Sequence, residues 1–246
     1  MNRKFLLVGT LAIAISSFIS SCRKQTVNNN SVETKAYFPL QLGKYVEYSV
    51  DSTIWSSFDC TTRQVGWLLR YTVADTFSDD SMNHWYRIEI RQRKADSSSW
   101  QTQGNIVVRP TETSIEYVQS NLKFVKLVFP VVDGISWNGN SYIATADQDY
   151  SYFADWTYSY ANVGQPYNTG LANFDNTVTV NQADKSLNDN GDPGSYSYRT
   201  YAKEVYAKNV GMIYRELTHW VAQPDSAATT TCREGYTVRM RAVDHN

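Results

Sequence analysis

The sequence predicts an all-β fold: a single antiparallel, strongly curved or barrel-like sheet with at most one or two short helices. Three observations carry this. Apolar and polar residues alternate with period two in one segment after another, the pattern of a strand buried on one face. Turn-forming residues punctuate those segments, as at Asn121, Asp133-Gly134 and Asn138-Gly139-Asn140. No window holds a sustained apolar stripe at helical spacing.

The first elements precede the domain. Met1-Asn2-Arg3-Lys4 is basic, Phe5 to Ile15 is apolar, and Ile19-Ser20-Ser21 runs directly into Cys22. A secretory signal has this basic, apolar, small-residue order. The apolar run is shorter than the roughly 20 residues a spanning helix needs. With a cysteine directly after the small residues, the stretch resembles the lipobox of bacterial lipoproteins. That resemblance implies a signal peptide over residues 1–21 and lipidation of Cys22, so the implied partner is a lipid bilayer, reached through acylated Cys22. A single acyl chain binds marginally, at about 0.8 kcal/mol per buried methylene, whereas two or three on one residue give a lasting anchor.

Residues 22–36 hold the lipidated cysteine and a polar stretch with the Asn28-Asn29-Asn30 run, which reads as a flexible tether. Its r.m.s. reach is near 20 Å, roughly that of 14 flexible residues. Arg23 and Lys24 stand where surface-exported Bacteroidota lipoproteins carry an acidic cluster, and where some other lipoproteins carry a retention Asp. By that resemblance the protein sits in the outer membrane, lipid-anchored and facing the periplasm. Both cations can also pair with lipid phosphates. Loss of the leader takes Arg3 and Lys4 from a chain of formal net charge -1. The remaining charge of about -3 gives no reason to seek nucleic acid.

Residues 37–246 form a single β-rich domain by this reading, since about 210 residues suit one all-β unit and no internal repeat divides them. Tyr37 to Gly43 is an opening loop, broken by Pro39 and Gly43. In the first strand Val46, Tyr48 and Val50 share one face, and Glu47, Ser49 and Asp51 the other. Trp67, Leu69, Tyr71 and Val73 repeat the pattern, as do Tyr86, Ile88 and Ile90. Further strands are predicted near 103–109, 113–118 and 122–129, and a last one over Gly235 to Val243.

Two stretches carry a family resemblance. Phe38-Pro39-Leu40-Gln41-Leu42-Gly43-Lys44-Tyr45-Val46-Glu47-Tyr48 is similar to the opening of many uncharacterised Bacteroidota outer-membrane lipoproteins, with Val46 where they usually have Trp. Tyr206-Ala207-Lys208-Asn209-Val210-Gly211-Met212-Ile213-Tyr214 is similar to their closing hairpin. Asn209 suits a left-handed turn position and Gly211 a bulge. A rival reading makes Tyr198, Tyr201, Ala202 and Val205 the face of a short helix. The resemblance implies no activity.

Cys60 follows the first strand and Cys232 precedes the last. Antiparallel pairing of those strands would bring the two loops together and allow a disulfide, in a compartment that permits one; two separate thiols are the alternative. From Asp149 to Ala161 the candidate ligand-binding rings Tyr150, Tyr152, Trp156, Tyr158 and Tyr160 share one face of an extended strand. They are either the core of a central strand or a face that stacks sugars or lines an apolar pocket. Aromatics make up 14% of the chain, so many rings must build core.

Motifs for chemistry are sparse. His84, His219 and His245 are scattered, with His245 read as disordered beside the terminus, and no nucleophile elbow, phosphate loop or paired-histidine metal motif occurs. Asn188 to Gly194 reads as a calcium-like loop or a plain turn, without the distal bidentate Glu. Glu89, Glu116 and Asp155 would need a defined spatial separation to act as a glycosidase pair. The expectation is therefore an envelope lipoprotein with no catalytic residues, metal or cofactor, whose β domain binds a glycan, a lipid-like ligand or an envelope protein.

Overall fold

A computed structural model describes residues 35–246 except 95, 98, 190, 226 and 228. The predicted signal peptide, Cys22 and almost all of the predicted tether lie outside the described residues. Twelve strands form one antiparallel sheet: β1 (Tyr45–Ser56), β2 (Thr61–Ser78), β3 (His84–Arg93), β4 (Gln101–Pro110), β5 (Ser114–Gln119), β6 (Leu122–Val128), β7 (Ser136–Trp137), β8 (Tyr158–Asn168), β9 (Asn173–Leu187), β10 (Ser197–Ala207), β11 (Gly211–Ala222) and β12 (Glu234–His245). A short 3-10 helix, Gln148–Phe153, precedes β8.

The strand order is β6-β5-β4-β3-β2-β1-β12-β11-β10-β9-β8-β7, so the first and last strands pair in the middle of the sheet. Each half of the chain curls away from that seam until the two edges approach. Backbone groups on an edge need partners, and here the edges supply them to each other. Val125 N–H donates to the Gly139 carbonyl at 2.8 Å, and Trp137 Nε1 donates to the Val125 carbonyl at 2.8 Å. The Tyr160 hydroxyl accepts from Val128 N–H and donates to its carbonyl. The result is a nearly closed, barrel-like sheet.

The alternating strands behave as their pattern predicts. Val46, Tyr48 and Val50 face the interior and are buried, opposite Tyr71, Leu69 and Trp67 of β2. Ile88 and Ile90 continue the same face beside Ile106 and Val108. Glu47 faces outward, yet is buried beneath Arg70, which pairs with it and stacks on Tyr45 and Trp100.

Four expectations change. Tyr198 to Val205 is strand, not helix, and belongs to β10. The hairpin turn does place Asn209 at φ 65 and Gly211 at φ 103, but the register slips at Ile213, which faces no partner between Met212 and Tyr214. His245 is part of β12, paired with Val46 and touching the Phe174 ring. The aromatic run Asp149 to Ala161 is not one extended strand: its first half coils into the 3-10 helix, capped by the Asp147 side chain, and β8 begins at Tyr158.

Cys60 and Cys232 are bridged. The β1–β12 pairing explains why, since the end of β1 lies beside the start of β12, with Trp55 opposite Gly235. A loop with sequence separation 172 contributes up to about 5 kcal/mol in the chain-entropy account. Urea melts should show it: reductant should lower the wild-type midpoint to that of a Cys60→Ala/Cys232→Ala variant and leave the variant unchanged. Equal midpoints with and without reductant would mean that strand pairing alone fixes these loops.

Candidate functional site

Inside the barrel, three charged side chains sit among apolar and aromatic ones. Glu204 on β10 is 1% exposed. Lys126 Nζ lies 2.6 Å from its Oε1, and the Tyr206 hydroxyl donates to its Oε2 at 2.6 Å. Arg215, opposite Glu204 on β11, reaches Oε1 through Nε at 3.8 Å. Tyr48, Tyr71, Tyr117 and Tyr158 surround this cluster closely enough to couple to it electrostatically.

Local backbone geometry delivers these groups. Glu204 lies in phase with Ala202 and Tyr206, the inward positions of β10. Lys126 is the extra residue of a bulge, because Leu127 faces Ile115 and Val125 faces Glu116. Gln182 is the extra residue of a second bulge, since Ala183 faces Ala202 and Asn181 faces Lys203. A bulge re-aims the side chain it carries, and both of these line the interior.

The electrostatics follow from burial and proximity. Burial pushes the Glu204 carboxyl up, but Lys126, Arg215 and the hydrogen bonds from Lys126 and Tyr206 outweigh it and hold the group below its ordinary value. Burial holds the Lys126 ammonium down, with Glu204 opposing. For Arg215 burial is outweighed by Glu204 and the nearby tyrosines, so its charge is permanent. Burial keeps Tyr48, Tyr117, Tyr158 and Tyr206 neutral, with their hydroxyls pushed well up. Glu204 neutralises one cation; the second is left over.

Two cavities border the cluster. One, of about 60 Å³, lies toward the opening segment and is lined by Phe38, Pro39, Tyr48, Ile88 and Met212 as well as Lys126, Glu204 and Arg215. The other, of about 140 Å³, lies toward the cystine end and is lined by Phe124, Tyr152, Phe153, Trp156, Gln182 and Leu217, with Lys126 and Arg215 at its base. Arg215 keeps 28% of its side-chain surface open, and both cavities touch it.

The predicted aromatic residues divide. Trp156, Tyr158 and Tyr160 are buried, and their polar atoms pair with the Tyr152 carbonyl, Asn140 Oδ1 and Val128. Tyr152 stacks on Phe153 and His219, whereas Tyr150 is 37% exposed. The five rings therefore make no common open platform; Tyr152 and Trp156 instead wall the larger cavity.

The other candidates take no part in the charge cluster. Glu89 pairs with Arg91, Glu116 with Arg109 and Lys123, and Asp155 is exposed. His219 Nδ1 lies 3.0 Å from Thr200 Oγ1, and burial holds its pKa down. In the calcium-like loop Asp192 accepts from Gly194 N–H and Ser195 Oγ, the bonding of a turn. Among the described residues no group of three or more His, Cys, Asp or Glu is placed to hold a metal.

No family model matches this chain, and no curated protein matches it. Solved structures similar to it include the following two. One is a protein described as exported, with a YmcC-like fold, from Bacteroides fragilis: 11% identity, TM-score 0.39, covering 85% of this chain and 98% of that one. The other is described as a lipoprotein from Parabacteroides distasonis: 12% identity, TM-score 0.32, covering 85% of this chain and 98% of that one.

Removing Glu204 would leave two interior cations, Lys126 and the partly open Arg215, facing each other, so Glu204→Leu should cost about 3–5 kcal/mol in chemical denaturation. Lys126→Met, which leaves Glu204 beside Arg215, should cost clearly less. The pH dependence has a definite sign. Because the folded pKa of Glu204 is depressed, its contribution is full above the unfolded value near 4.5 and is lost as pH falls through the folded value. The stability gap between wild type and Glu204→Gln should therefore close in acid; a gap constant with pH would refute the charged pair.

Proposed function

We propose that this chain is a lipid-anchored protein of the bacterial cell envelope whose β domain is a non-catalytic binding module, with the barrel interior as its binding site. The observation that carries the reading is the Lys126–Glu204–Arg215 cluster, set between two cavities in a largely apolar and aromatic interior. A core shaped for stability alone would gain from replacing such a cluster by well-packed apolar residues. Ligand sites, by contrast, combine apolar walls with a few placed polar groups.

The envelope location rests on the lipobox-like stretch ending at Cys22 and on the Cys60–Cys232 bridge, which suits an oxidising compartment. Arg23 and Lys24 support a periplasm-facing position in the outer membrane. A non-catalytic role fits the carboxylates: Glu89, Glu116 and Glu204 are each engaged by a cation. Cavities of about 60 and 140 Å³ are smaller than the roughly 300–1,000 Å³ of pockets for drug-sized ligands, so the reading favours a small ligand over a lipid.

Two measurements test this. In detergent phase separation the wild type should enter the detergent phase and Cys22→Ser the aqueous phase; equal partitioning would refute the anchor. For the interior, the full chain in detergent should melt at a higher temperature when a low-molecular-weight filtrate of envelope extract is added, since a ligand of the native state stabilises it. Arg215→Met, which alters a residue lining both cavities, should show a smaller rise, and no rise in the wild type would refute the binding role.

A further inference from the structure

We propose that the larger cavity, at the cystine end, is a site for one small monocarboxylate with a short apolar or aromatic stem, its carboxylate held by Arg215 and Gln182. This rests on the reading of the barrel interior as the binding site and assigns the ligand class.

Two independent observations point to a hydrogen-bond acceptor there, and the second to a negatively charged one. Gln182 is 4% exposed, and its Nε2 has no hydrogen-bond partner among the described residues. A buried donor left unpaired costs about 1–3 kcal/mol, and this one sits on a bulge in the cavity lining. Arg215, in the same lining, meets Glu204 at 3.8 Å through Nε. Glu204 already holds Lys126 at 2.6 Å and the Tyr206 hydroxyl at 2.6 Å. The guanidinium is thus the less tightly engaged cation, with donors in the planar fork that suits a carboxylate.

Charge and size narrow the class. One carboxylate against two cations leaves a single positive charge, which one negative charge balances. A dianion would bring a second charge into a buried space with nothing to pair it. The volume of about 140 Å³ is close to the roughly 150 Å³ of an apolar cavity known to hold benzene. Phe124, Phe153, Trp156 and Leu217 supply the apolar part of the lining, so the stem is apolar and compact. Ser120, on the exposed β5–β6 turn, is part of the rim and marks the way in.

Calorimetry on the full chain in detergent tests the assignment, with benzoate and butyrate as probes, benzamide as neutral isostere, succinate as dianion and decanoate as long-chain acid. Benzoate or butyrate should bind, with benzamide, succinate and decanoate at least tenfold weaker. Gln182→Leu should bind benzoate about tenfold more weakly while melting no lower than wild type without ligand, because it removes an unpaired donor. Arg215→Met should bind more weakly still. Binding of benzamide equal to benzoate, or undiminished binding by Gln182→Leu, would overturn the carboxylate site; tighter binding of decanoate would overturn the size limit. If the envelope filtrate stabilises the protein and neither benzoate nor butyrate binds, this inference falls and the interior reading stands. If filtrate and acids are all silent, the interior reading falls with it.

Discussion

The pairing of β1 with β12 is the constraint on which the rest of this structure depends. Because the two ends of the domain lie side by side in mid-sheet, each half of the chain must curl outward from that seam, and the barrel exists only if β6 and β7 then meet. The meeting is sparse in backbone bonds, since β7 has two residues. Side chains complete it: Trp137 and Tyr160 supply hydrogen bonds to β6. Gly139 matters for the same reason. A Cβ there would drive into the Tyr158 ring, forcing apart the contact through which the Gly139 carbonyl accepts from Val125. The cystine and the β6–β7 contact therefore act on different joints: the first secures the middle of the sheet, the second its edges.

The charge cluster ties the same two halves together across the interior. Lys126 comes from the first half, Glu204 and Arg215 from the second. An ion pair in such a setting is a poor source of net stability, because desolvation opposes its attraction. It is a strong determinant of register, because a shift of either strand by one residue would turn its charge toward the wrong face. The cost of burying it is lowered by the neighbouring hydroxyl of Tyr206 and by the space left beside Arg215, where a charged group of the right sign can enter.

Much of the fold was legible because period two survives wherever strands are regular. Val46, Tyr48 and Val50 read inward from their spacing alone, and Cys60 and Cys232 from their places beside the first and last strands. The interior site was harder to read because bulges build it. One inserted residue inverts the phase of everything after it, so Lys126 and Gln182 look like ordinary polar positions until the partner strand is known. A signal was present at Glu204, an isolated acid between Ala202 and Tyr206 in the phase of their apolar face. The aromatic run misled for the opposite reason: its alternation is regular, but Asp147 caps a 3-10 helix within it, and local capping overrode the period.

The two stretches that carry the family resemblance are distant in sequence and adjacent in space. Phe38 packs on the Tyr206 ring at 6.0 Å, Asn209 N–H donates to the Ala36 carbonyl at 2.7 Å, and Pro39 lies against Gly211. Their shared task is to close one end of the barrel, which accounts for a motif of turns and rings with no reactive groups. The described chain begins at that closed end. A lipid anchor at Cys22 would therefore tether the barrel by its plugged end, while the β5–β6 turn at the rim of the larger cavity lies at the opposite ends of the strands, far from that attachment. Any ligand reaching that rim would then arrive from the aqueous side, which matches a small charged solute better than a molecule delivered by the bilayer.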